Sequence, residues 1–140
     1  MSRLRGFLIA TLVSVAACSG VSPATPEQPF AGSWRWVRSQ GGIAGVEITP
    51  ATEGYAIRLA FDGLGGVRAY RNDTLIATAG YTALERLEHS GVAWEVTYDP
   101  ELPAFLFDVL DLTTARRTGD VLILADPCCD RWVHTLEDAR

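Results

Sequence analysis

Tyr55-Ala56-Ile57-Arg58-Leu59-Ala60-Phe61, with Asp62-Gly63 directly behind it, is the clearest half-buried strand pattern in the chain. Its bulky apolar residues fall on every second position: Tyr55, Ile57, Leu59 and Phe61 alternate with Ala56, Arg58, Ala60 and Asp62. Successive side chains of an extended chain point to opposite faces, so this period predicts a strand with one buried face. Asp62-Gly63 and Gly65-Gly66 supply the turn that sends it back.

The same period runs outward in both directions. Upstream, Trp34, Trp36 and Arg38 alternate with Arg35, Val37 and Ser39, and Val46-Glu47-Ile48 follows a Gly-rich turn. Downstream come Val67 to Arg71, a tight-hairpin signal at Asn72-Asp73, and Leu75 to Leu87 with Tyr81 and Leu84 as its bulky positions. Val92, Trp94, Val96 and Tyr98 alternate next, then Phe105, Phe107 and Val109. Turns at Thr118-Gly119-Asp120 and Asp126-Pro127-Cys128-Cys129-Asp130 bracket Val121 to Ala125, and Trp132 to Leu136 closes the series. No segment has a convincing helical period. About eight strands with mostly short links predict an all-β, eight-stranded antiparallel up-and-down β-barrel, since closure removes both exposed edges. A two-sheet sandwich is the competing closure.

The first residues read differently. Arg3 and Arg5 precede Gly6 to Ala17, an apolar run of small residues too short to span a bilayer. That is the pattern of a signal peptide over residues 1–17. Val15-Ala16-Ala17-Cys18 resembles the bacterial lipobox, which implies cleavage before Cys18 and lipid on its thiol and new amine. Several acyl chains exceed what stable anchoring needs. Ser19 after the cysteine, rather than an acid, implies the periplasmic side of an outer membrane. Residues 18–30, with Pro23, Pro26 and Pro29, make a semi-extended tether. Residues 31–140 then form the barrel domain.

Without residues 1–17 the chain holds 10 basic against 17 acidic residues, a net charge of about −7. An acidic surface argues against nucleic acid and against electrostatic docking on anionic lipid.

Gly32-Ser33-Trp34 on the first strand resembles the Gly-x-Trp of the calycin barrels, the lipocalins and their relatives. The resemblance implies that Trp34 packs across one end of the barrel under an Arg near the last strand, here Arg131. It is similar to short bacterial lipocalin-like lipoproteins. A cavity lined by Trp36, Tyr55, Ile57, Phe61 and Trp94 would hold a small apolar ligand, as an aromatic lining does. The alternative is a filled barrel that serves as an interaction or assembly protein of the cell envelope. The chain lacks the helix that usually follows a lipocalin barrel, and Thr97-Tyr98-Asp99 scrambles the lipocalin Thr-Asp-Tyr.

No catalytic constellation stands out, so an enzyme is not expected. Gly63-Leu64-Gly65-Gly66 leads into a strand rather than a helix, which argues against a phosphate loop. Asp126, Cys128, Cys129, Asp130 and His134 have metal-ligand chemistry, but neighbouring side chains of an extended chain diverge, so no metal or other cofactor is expected. Cys128 and Cys129 are the only thiols left after lipidation. They pair as a strained vicinal disulfide or stay reduced. His134 keeps step with Trp132 and Leu136 and reads as a satisfied barrel histidine.

Overall fold

The computed structural model describes residues 28–102, 110–125 and 132–140. The signal and lipobox segment, Cys18, Cys128, Cys129 and Arg131 lie outside the described residues. The elements in order are β1 (Gly32–Gly41), β2 (Val46–Ile48), α1 (Pro50–Glu53), β3 (Ile57–Phe61), β4 (Gly66–Arg71), β5 (Thr74–Glu88), β6 (Gly91–Leu102), β7 (Leu110–Thr118), β8 (Val121–Ala125) and β9 (Val133–Asp138).

Every pairing is antiparallel, and from β3 onward each strand pairs with the next. β1 closes the circuit: Trp34 pairs with Leu59 of β3, and Trp36 pairs with Leu136 of β9. Eight strands therefore form a closed up-and-down barrel, the architecture that the lipocalin resemblance implies. The short β2 folds back on the far half of β1, Ser39 opposite Ile48. A sandwich would leave β1 and β9 unpaired.

Local chemistry sets the corners. Asn72 and Asp73 both take positive φ (49° and 63°), the backbone that a two-residue hairpin between β4 and β5 requires. Asp62 accepts from the backbone N–H groups of Leu64 (2.9 Å) and Gly66 (2.7 Å). Those two bonds, Gly66 first, hold its carboxyl below the usual range. α1, a single turn that no periodicity foretells, is specified by its ends. Thr49 and Thr52 form a reciprocal capping box, Pro50 sits in the first turn, and Gly54 ends the turn at φ 73°.

Three ladders depart from plain alternation, and the shift in β1 bears most on the interior. The β1–β9 ladder slips between Trp36 and Arg38. The extra residue is a bulge, and it exchanges the faces of everything after it. Trp34 and Trp36 point inward as expected, but the next inward residue is Ser39, not Arg38. Arg38 turns to solvent, where it lies 3.7 Å from Glu47. A guanidinium thereby avoids an apolar interior. On β5, Tyr81 is buried and Leu84 exposed, because the two differ in parity.

The interior is filled from every strand. Trp36, Ile57, Leu59, Ala69, Val96, Thr113, Ala115, Leu122, Leu124 and Leu136 have no exposed surface at all. A side chain bordering a water-sized void would retain some, so the packing around these residues is close.

Candidate functional site

The barrel's two ends differ in chemistry, and the chain's own direction defines them. β1 starts at the end where residues 28–31 join the fold, and the 62–65, 89–90 and 119–120 turns share that end. Phe30, the last residue of the stretch expected as tether, is fully buried there. Its ring meets Phe61 at 5.7 Å, Trp94 at 5.4 Å and Tyr81 at 6.1 Å between centroids. Its carbonyl accepts from the Trp34 indole N–H at 2.7 Å. The guanidinium set against the Trp34 ring belongs to Arg117 of β7, 5.1 Å from the ring centroid. Arg117 also donates to the carbonyls of Pro29 (3.0 Å) and Gly119 (3.3 Å). Trp34 thus has the expected end position with a cation over it, and Arg131 lies outside the described residues.

The opposite end holds a polar chain under an aromatic stack. Trp36 and Tyr55 stack at 6.0 Å, and Arg71 lies 3.9 Å over Tyr55. The Trp36 indole donates to Ser39 Oγ at 2.9 Å, and Ser39 Oγ lies 2.7 Å from His134 Nδ1. An indole N–H can only donate, so Ser39 accepts from Trp36 and is free to give its own proton to Nδ1. Ser39 and His134 are both buried, which satisfies the histidine as the sequence predicted. A serine and a histidine in contact invite a catalytic reading. Neither side chain reaches solvent in this structure, so the pair serves first to satisfy buried polar atoms. The other four members of the metal-like cluster lie outside the described residues, and His134 is turned inward toward Ser39.

A third group, which the sequence did not single out, reaches the Phe30 end through Tyr81. The hydroxyls of Tyr81, Tyr98 and Thr113 are buried and have no hydrogen-bond partner among the described residues. Tyr81 and Tyr98 are direct cross-strand neighbours. Burial, helped by the charge of Asp62, pushes the Tyr81 phenol up to about 12. Burial also raises Tyr98, against the opposing influence of the Thr113 hydroxyl.

A phenol raised above its ordinary value of 10.0 keeps its proton in the fold after the unfolded chain has released it. Its contribution to stability is complete below about pH 10 and is lost as pH climbs toward 12. The fold should therefore hold flat to about pH 10 and weaken above it. Phenolate absorbance from two of the four tyrosines should appear together with unfolding. Smooth titration of all four with the far-ultraviolet circular dichroism intact would contradict this.

The five residues expected to line a cavity are spread between the two ends of the barrel. Trp36 and Ile57 are fully buried, Phe61 is 4% exposed, and Tyr55 and Trp94 are partly buried against the core. Trp36 stacks on Tyr55 at one end, whereas Phe61 and Trp94 close on Phe30 at the other. Two open grooves flank Phe30. One of about 290 Å³ is lined by Pro29, Glu85, Trp94 and Arg117. The other, about 350 Å³, runs between Gln28, Leu64, Tyr81 and Asp99. Both are open to solvent and carry charge, unlike an enclosed apolar pocket.

Sequence reasoning missed Phe30, Ser39 and Arg117. Phe30 had a signal: it is the one large apolar residue between the prolines and Gly32-Ser33-Trp34. Ser39 was hidden by the bulge, and Arg117 looks like any other exposed strand arginine. Compared with family models, curated proteins and solved structures, the chain gives no match.

Proposed function

We propose that the chain is a lipid-anchored envelope lipoprotein whose filled, lipocalin-like barrel acts through its outer surface on another envelope protein. It takes no cofactor and catalyses nothing. Lipid on Cys18 would hold it to the periplasmic face of the outer membrane, and residues 19–27 would be the leash. The observation that carries the reading is the packing. Among the described residues, eleven inward side chains on seven of the eight barrel strands have zero exposure, and Phe30 stops one end. An apolar ligand would need that volume, and emptying it would forfeit the contacts of several large side chains.

One observation favours the second reading, a small ligand inside. Three buried hydroxyls that find no well-formed hydrogen bond among the described residues are costly, and an amphipathic molecule with a hydrogen-bonding end would satisfy them. Native mass spectrometry of the full lipidated protein, extracted from its host's membranes in mild detergent, separates the two. We expect the polypeptide with its covalent lipid and nothing else. A small molecule released in one-to-one amount on denaturation would overturn the filled-barrel reading in favour of the ligand.

A further inference from the structure

We infer that the barrel stands on the bilayer by its Phe30 end, with Leu64 and Leu87 in contact with the phospholipid. The inference rests on the anchor at Cys18 and adds an orientation to it. Nine residues separate Cys18 from Gln28, and at ~3.1 Å per residue a proline-rich stretch of that length spans about 30 Å. The ten residues of β1 run away from this point for about 33 Å of strand. The far end, with the Gly42–Gly45 turn, is therefore about as distant from the point of attachment as the leash is long. The near end is brought to the membrane without any detour of the chain.

What that end presents suits a bilayer surface. Leu64 is 91% exposed in the β3–β4 turn, and Leu87 is 84% exposed at the tip of the β5–β6 hairpin. Val92, opposite Leu87 across the hairpin, and nearby Leu84 are exposed as well. Several charges around them are paired: Arg86 with Glu95, Arg116 with Glu88, and Arg140 with both Asp120 and Asp138. An acidic protein is repelled by anionic headgroups, and these arginines offset part of that repulsion at this end. Leucines on such an end can enter the headgroup region, as the apolar face of a surface-lying helix does.

The test puts a photoreactive benzophenone residue at position 87 or at position 43 of the full lipidated chain by codon suppression. Ile43, 96% exposed in the β1–β2 turn, marks the far end. Each protein is reconstituted into vesicles of phosphatidylethanolamine and phosphatidylglycerol, recovered by flotation, illuminated and analysed for phospholipid adducts by mass. We expect several-fold more adduct at position 87 than at position 43. A floating chain with equal yields, with more at position 43, or with none at position 87 overturns the orientation and leaves the anchor standing. A wild-type chain that does not float overturns the anchor and the orientation together.

Discussion

Replacing Trp34 by Ala unfolds the barrel or brings it close to unfolding. The ring is 1% exposed at the junction of β1, β3 and β9. Removing such a side chain costs about 3–5 kcal/mol, because the neighbours cannot collapse into the space left. Small domains have only about 5–15 kcal/mol in total. Two further losses follow. The Phe30 carbonyl loses its 2.7 Å donor, and the Arg117 guanidinium loses the ring beneath it. Arg117→Ala alone should cost about 1–2 kcal/mol, for one cation–π contact and two hydrogen bonds to carbonyls. Since the two residues touch, the double variant should lose less than the two single losses combined, by at least about 0.5 kcal/mol. Urea melts followed by circular dichroism measure all three, with the exposed Ile43→Ala as a control expected within about 0.5 kcal/mol of wild type. A Trp34→Ala protein as stable as that control would mean that the barrel does not close over this ring.

The alternation of Tyr55 to Phe61 made β3 legible, and the turn residues around it made the strand order legible too. An up-and-down barrel needs little more, because each strand pairs with the next and only β1 must find a distant partner. What was hidden is whatever depends on parity or on distance. The bulge after Trp36 is one residue of slip, invisible to a period-2 reading, yet it decides that Ser39 and not Arg38 meets His134. The contact between Arg117 and Trp34 joins residues on nonadjacent strands, and an exposed arginine on β7 has no local mark that singles it out. Burial of the Tyr81, Tyr98 and Thr113 hydroxyls could be guessed one at a time from alternation. Their convergence needed the β5–β6–β7 register. Of the residues expected to line a cavity, Trp36, Ile57 and Phe61 are buried, and Tyr55 and Trp94 are partly so. Whether inward aromatics line a space or fill it depends on the sum of volumes around the barrel, and here Phe30 from outside the strands adds to that sum.

Cys18→Ser should release the protein from the membrane almost completely, the largest effect expected of any single change outside the barrel. A serine hydroxyl in place of the thiol cannot become the thioether that carries diacylglycerol, and cleavage by the lipoprotein route depends on that modification. One acyl chain gives only marginal membrane affinity, with each buried CH₂ worth about 0.8 kcal/mol, so two or three chains on Cys18 would hold the wild type at the membrane permanently. The variant should keep residues 1–17 or leave the membrane, and it should take up no labelled fatty acid. The barrel, which begins with Phe30, should fold as before. The most direct single measurement is the intact mass of the wild-type protein extracted from membranes. The expected mass is that of a chain that begins at Cys18 and is heavier by a diacylglyceryl group and a further acyl chain. A chain with Cys18 unmodified, or one beginning at any other residue, would contradict it.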